Sequence, residues 1–281
     1  MAKKMTQQTD MEGVVKTPGG QTFRARAQPQ AQQKILRAAL NAIGAPDGKG
    51  PRSLVFDLDS TLLDNRPRQA RIVREYAARH GAPRLLDCPP EKIVSWDLRD
   101  TARLCGYSQE DAEAIYPACK EFWRERFFTS EYCADDIAIA GAAGFLEAVL
   151  GAGGRIIYVT GRHVGMGDGT VESFRRAGFP IPVYPLGPPH PASEAPVQLW
   201  LKPDPDGDDD LWKERCHQAL RNQARGESGI AAAFDNEPTH INGYKQSFDG
   251  AQVIHLDTDH SGRPVPVHDG VPSIADFTLE P

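Results

Sequence analysis

Two acids stand two residues apart at the end of an apolar run. In SLVFDLDSTLLD, residues 53–64, they are Asp57 and Asp59. A second apolar run, RIIYVTGR, closes on Thr160, Gly161 and Arg162, and a third, GIAAAFDNEP, closes on Asp235, Asn236 and Glu237. Burying a carboxylate is costly unless it is paired, so packing alone does not explain this repeated pattern. If the three runs are parallel strands of an open α/β sheet, their polar ends meet at the edge where such sheets bind ligands. The chemistry that suits them is phosphoryl transfer. Asp57 can act as a carboxylate nucleophile, and Asp59 can protonate the leaving oxygen and then deprotonate water. The Thr160 hydroxyl and a lysine ammonium would hold the transferring oxygens, with Gly161 and Arg162 beside them as phosphate contacts. Asp57 and Asp235 are hard oxygen ligands of the kind Mg²⁺ takes together with water and substrate phosphate.

The elements that must position these groups read as follows. AQQKILRAALNAIG has apolar residues at helical spacing and a glycine stop, and the turn-rich APDGKGP separates it from the first strand. RPRQARIVREYAARHG opens with Pro67 in its first turn and ends at Gly81, as helices do. Helical pattern continues in EKIVSWDLRDTARLCG, and SQEDAEAIYPACKEFWRERFF begins with a capping-box-like Ser108. GAAGFLEAVLGAGG, GTVESFRRAGFP and DDLWKERCHQALRNQARG are further helices, while PVYPLG, VQLWLKP and AQVIHLD are strand-like. Strands alternating with helices predict an α/β fold, a Rossmann-like doubly wound, mostly parallel sheet. The expected layout is an N-terminal extension with one helix (1–50), a catalytic core (51–66 and 137–281) and an inserted helical cap (67–136). Residues 1 to about 30, rich in Gln, Thr, Gly and Lys, are expected to lack regular structure.

These residues resemble the motifs of the haloacid-dehalogenase-like hydrolase superfamily. Asp57-Leu-Asp59-Ser-Thr61 matches its first motif, VTGR its second and FDNEPTHIN its acidic fourth, in the right order and each after an apolar run. The resemblance implies a Rossmann-like core and a Mg²⁺ cofactor. It makes Asp57 the nucleophile and a metal ligand, and Asp59 the acid/base, with its main-chain carbonyl on the metal. Thr160 becomes the phosphoryl-binding residue, and Asp235 completes the metal site with Asn236 or Glu237. Dehalogenating members typically lack the second acid of the first motif, so Asp59 favours a phosphatase. The third-motif lysine has two candidates. Lys213 lies 22 residues before Asp235, near the usual spacing, and is preferred; Lys202, in LKPDPD, lies 33 before and is the alternative. The cap would cover the site and select the substrate, with Trp96, Tyr107, Tyr116 and Trp123 as candidates to line it, although core packing also suits them. His163, beside Arg162, is a candidate substrate contact.

Composition bounds the partners. A net charge of −6 over 281 residues gives no footprint for nucleic acid or a membrane surface, so a small phosphorylated substrate is expected. No apolar run is long enough to span a bilayer, and the N-terminus has no secretory apolar region. Five scattered cysteines without a Cys-x-x-Cys pair read as free thiols of a cytoplasmic protein. The rival readings are a polynucleotide-end phosphatase, against which the acidic balance counts, and a non-catalytic binding protein on the same fold. Oligomeric state is not written in these features.

Overall fold

The computed structural model describes residues 14–16, 22–24, 29–44, 52–183, 195–222 and 229–280. The chain opens with an antiparallel ribbon of β1 (Val14–Lys16) and β2 (Thr22–Arg24), then α1 (Pro29–Asn41). The central strand β3 (Ser53–Phe56) follows, and after a tight turn come β4 (Leu63–Asp64) and the long α2 (Arg66–His80). Next are α3 (Leu98–Leu104), α4 (Gln109–Phe127), the short α5 (Ser130–Cys133) and β5 (Ile137–Ala138). The remaining elements alternate: α6 (Ala142–Gly151), β6 (Arg155–His163), α7 (Gly167–Ala177), β7 (Val197–Lys202), α8 (Asp209–Arg221), β8 (Ile230–Asp235), α9 (Pro238–Ser247), β9 (Gln252–Leu256) and β10 (Ser273–Ile274).

Six strands form one sheet in the order β10-β9-β8-β3-β6-β7, and every pairing in it is parallel. The fold is therefore α/β and Rossmann-like, with β3 between β8 and β6. Strand side chains alternate between faces, and both faces are covered, which is why the runs are apolar throughout. Leu54, Phe56, Ile156, Tyr158 and Phe234 pack with α1, α6 and α7 on one side. Val55, Ile157, Val159 and Ala233 pack with Trp212, Cys216 and Leu220 of α8 and with Ile241, Tyr244 and Phe248 around α9 on the other. The C-terminal tail belongs to this core: β10 extends the sheet beside β9, and Phe277 is buried against Phe56, Phe145 and Phe234.

The helices between β4 and β5 have an apolar cluster of their own, running from Ala70 to Tyr132 and including Tyr76, Leu98, Phe122, Trp123 and Phe127. Chain entry and exit lie side by side, because β4 and β5 pair antiparallel. Ser108 caps α4 as its sequence indicates, its hydroxyl accepting from Asp111 N at 3.0 Å.

Three local expectations need correction. The segment read as unstructured carries the β1–β2 ribbon, and its helix begins at Pro29. EKIVSWDLRD is mostly irregular: Pro89 and Pro90 permit only a short 3-10 turn, and the helix starts at Leu98, where Asp97 accepts a hydrogen bond from Arg99 N. In PVYPLG, the described residues Pro182 and Val183 form no strand, and 184–187 lie outside the described residues. Among the described residues no helix is long and apolar enough to cross a membrane, and the five cysteines are unbridged.

The insert meets the core closely at α5 and α7. A Cβ placed on Gly169 would lie 2.2 Å from the Ser130 carbonyl oxygen and 2.5 Å from its Cα. Gly169→Ala is therefore expected to destabilise the protein by about 2 kcal/mol, since overpacking forces backbone to shift. Urea denaturation reads this directly, and an unchanged midpoint would contradict the contact.

Candidate active site

Asp57 continues β3 past its last ladder residue, its N–H donating to Phe234 O at 3.0 Å. The chain then turns sharply. Leu58 O accepts from Thr61, Leu62 and Leu63, and Ser60 takes a left-handed conformation (φ 60°) that is uncommon outside glycine. This turn carries Asp59 back over the strand end. Thr61 ties it to the loop after β8: Thr61 Oγ1 donates to Asn236 Oδ1 at 3.0 Å and accepts from Asn236 N at 3.1 Å. The β8 loop is fixed in turn by Glu237 N donating to Asp235 Oδ1 at 2.9 Å.

Lys213 lies in the first turns of α8, whose start is capped by Asp208 accepting from Leu211 N. Trp212 Nε1 donates to Thr160 O at 2.7 Å and pins this helix to the end of β6. The Lys213 ammonium then sits between two acids, 2.7 Å from Asp57 Oδ1 and 2.9 Å from Asp235 Oδ2, and also donates to Val159 O. Lys202 is elsewhere: its ammonium donates to Gly207 O and Asp209 Oδ1.

A second charge cluster surrounds Asp59. Arg162 grips it with Nε on Oδ2 (2.9 Å) and Nη2 on Oδ1 (2.8 Å), and Arg68 Nη2 reaches Oδ1 at 2.6 Å. Both guanidiniums also meet the buried Asp136: Arg162 Nη2 donates to Oδ2 at 2.6 Å, and Arg68 Nε lies 3.0 Å from Oδ1, at an angle that makes no hydrogen bond. Arg68, Arg162 and Asp136 are thus buried together beside a partly exposed Asp59, which is tolerable only because the charges are paired. Arg68 comes from α2 and Asp136 from the residue before β5, so the cluster straddles the junction of insert and core.

The electrostatics of the acids differ. Burial pushes the Asp57 carboxyl up; Lys213 opposes this, Asp235 and Asp59 add to it, and the result is about 7. Burial also pushes on Asp59, but Arg162 and Arg68 outweigh it and hold the carboxyl below its ordinary range. Asp235 is held low in the same way, by Lys213 and His240 against burial. His240 Nε2 lies 3.0 Å from Asp210 Oδ1 and its Nδ1 3.6 Å from Asp235 Oδ1. Burial works against its imidazolium, yet Asp235 and the Asp210 contact raise it to about 9.

These groups open into a cleft of about 470 Å³ between core and insert. Asp57, Asp59, Gly161, Arg162, Lys213, Asp235 and Asn236 line it. Thr160 is brought close in sequence but is fully buried, its Oγ1 accepting from Arg162 N at 3.2 Å. Neither it, Lys202 nor His163 is among the lining residues; His163 bonds Phe128 O and Gly165 N. Trp96 and Trp123 line the cleft, whereas Tyr107 and Tyr116 lie under Arg84 and Arg99 within the insert. Sequence reasoning missed Arg68, Asp136, His240, Lys120, Arg124, Phe127 and Phe128. The only local signal was for His240, five residues past Asp235 on the helix that the loop opens. A larger cavity, about 570 Å³, lies beyond the Ser60 turn, lined by Asp64, Arg66, Asp257 and Asp259 and by none of the strand-end groups of β6 and β8.

No family model matches the chain, and no curated protein matches it either. Solved structures are similar to it at low identity. CbbY from Rhodobacter sphaeroides, in complex with phosphate, is 16% identical with a TM-score of 0.45, covering 80% of this chain and 94% of that one. A haloacid dehalogenase-like family hydrolase from Streptococcus pneumoniae is 13% identical with a TM-score of 0.42, covering 75% and 88%. Protein Tyrosine Kinase A from Mycobacterium tuberculosis is 17% identical with a TM-score of 0.46, covering 82% and 96%.

Proposed function

We propose that the chain is a haloacid-dehalogenase-like phosphatase that hydrolyses a small phosphate monoester through an aspartyl-phosphate on Asp57. The observation that carries this reading is the Lys213 ammonium, 2.7 Å from Asp57 and 2.9 Å from Asp235, at the cleft end of the central strands. Lys213 occupies Asp57 Oδ1, and among the described residues Oδ2 accepts no hydrogen bond, so one oxygen stays open for attack on phosphorus. Lys213, rather than Lys202, is the third-motif lysine on this reading. The Gly161 main chain and Arg162 border the place of the phosphoryl group, while Thr160 acts through the Arg162 backbone it holds.

Asp59 has two tasks. As a base it takes a proton from the water that releases phosphate, and its ionised state suits that half. As an acid it must first gain a proton, which requires the guanidiniums to part from it. Arg68 belongs to α2 at the entry to the insert, so movement of the insert frees Asp59 from one of its two cations. The insert, residues 67–136, is thereby a lid whose movement lifts one of the two charges that keep Asp59 ionised, Arg162 of the core keeping the other.

Mg²⁺ fits the donor set. Among the described residues no three His, Cys, Asp or Glu side chains gather as a metal site, but Mg²⁺ ordinarily takes one or two carboxylates with waters and substrate phosphate. Asp57, Asp235, the Asp59 carbonyl and Asn236 would hold it, and it would screen the charge between carboxylate and phosphate dianion. The raised Asp57 carboxyl marks a buried charge that Lys213 alone leaves under-neutralised.

A pH dependence follows. Unfolded, Asp57 titrates near 4; folded and metal-free it titrates at about 7. Its contribution to stability is present below about 4 and is lost as pH rises through about 7. Metal requires the ionised form, so Mg²⁺ expels a proton below pH 7 and binds more tightly as pH rises. The Mg²⁺-induced rise in Tm is expected to grow from pH 5.5 to 8, with calorimetric proton release at pH 6 that fades by pH 8. A pH-independent Mg²⁺ affinity would contradict it. The function itself is tested by phosphate release from a panel of phosphate monoesters with Mg²⁺ and with chelator. Release that needs the metal supports it, and none across the panel refutes it.

A further inference from the structure

The cleft is larger than a phosphoryl group requires. About 470 Å³ lies in the range of sites that enclose drug-sized ligands, and the strand-end groups line only part of it. The insert supplies one further wall, Trp96, Lys120, Trp123, Arg124, Phe127 and Phe128, and core residues that include Asp209, Glu237 and Arg263 supply the other.

Two features of this wall point the same way. Trp123 and Phe127 are buried and stacked, with centroids 4.4 Å apart. Trp96 and Phe128 stand edge-on to that pair and remain part-exposed, Phe128 at 43%. The stacked pair is packing; the outer two rings present aromatic surface, which favours a flat ring against it. Next, Lys120 and Arg124 lie one turn apart on α4, a mutually repulsive spacing. Among the described residues Arg124 makes no hydrogen bond or ion pair, and Lys120 donates only to Trp96 O at 3.3 Å, its ammonium over the Trp123 ring. Arg71, Arg99 and Arg103 of the same insert are each paired with an acid. Burial, and then Arg124, pull the Lys120 ammonium below its ordinary range. An anionic group at this wall would answer both cations.

We propose that the substrate is a phosphate monoester whose leaving group is a planar aromatic ring bearing a second negative charge. The ring lies against Trp96 and Phe128, and the charge against Lys120 and Arg124. This rests on the reading of Asp57 as phosphoryl acceptor.

The test uses three esters of primary alcohols of similar leaving ability: propyl, benzyl and 4-carboxybenzyl phosphate. With Mg²⁺, kcat/KM is expected to rise about tenfold from propyl to benzyl as the ring is buried. It rises about tenfold again with the carboxylate, a charge-assisted contact. Arg124→Gln, at an exposed position, closes most of the second gap, and Trp96→Leu most of the first. Equal values for the three esters, or a carboxylate gain that survives both Arg124→Gln and Lys120→Gln, overturn the substrate class while leaving the phosphatase standing. Release from none of the three while other monoesters of the panel are hydrolysed also overturns the substrate class; release from none across the panel removes the phosphatase reading, and this inference with it.

Discussion

Asp57→Asn is expected to abolish phosphate release, lowering kcat by at least about 10⁴-fold, while the protein stays folded. An amide oxygen cannot form the acyl-phosphate, and nothing nearby replaces it: Asp235 is held by Lys213 and Glu237 N, and Asp59 by two arginines. Stability separates this loss from damage. Burial disfavours the Asp57 charge, so the metal-free variant at pH 8 is expected to melt no lower than the wild type. Mg²⁺, which raises the wild-type Tm, should raise the variant's much less. Retained turnover would exclude Asp57 as nucleophile. A collapsed Tm would instead assign it a structural role.

Lys213→Met is expected to damage both activity and stability. It removes the one ammonium between Asp57 and Asp235, and breaking a buried ion pair from one side costs about 3–5 kcal/mol because the other charges stay behind. The penalty has a direction with pH. Without Lys213 the two acids resist ionisation, so the variant should be least stable above pH 7 and recover on acidification, as folded carboxyls take up protons that unfolded ones do not. Lys202→Met is the matched control. Its partner Asp209 is 54% exposed and remains solvated, so a loss of at most about 1 kcal/mol is expected. Urea titrations of both variants at pH 6 and pH 8 measure the contrast. Equal losses would contradict the placement of the buried charge.

The sequence carried the strand ends well, because each is a local pattern: an apolar run, then a polar stop. Asp57, Gly161, Arg162, Asp235 and Asn236 meet in the cleft for that reason. Lys213 was preferred over Lys202 on the spacing that the family resemblance implies, and its ammonium lies between Asp57 and Asp235. Arg68 and Asp136 had no such signal. They meet each other across 68 residues of chain, and an arginine on α2 looks in sequence like any solvated one. The insert misled in the same way. Tyr107 and Tyr116 are aromatic like Trp96 and Trp123, yet arginines of the insert cover them. Phe128, one residue past α4, is the ring left exposed. Helical pattern in EKIVSWDLRD yielded to Pro90 and to the Asp97 cap, local chemistry that outweighs periodicity.

The claim at the centre of this account is a covalent bond between Asp57 and phosphorus, and trapping that bond tests it most directly. Protein quenched in acid during turnover of a phosphate monoester with Mg²⁺ should carry one added phosphoryl group. Peptide mass spectrometry should place it on Asp57, and hydroxylamine should remove it. A phosphoryl group on any other residue, or steady turnover with no phosphorylated protein at any quench time while free phosphate accumulates, would contradict it.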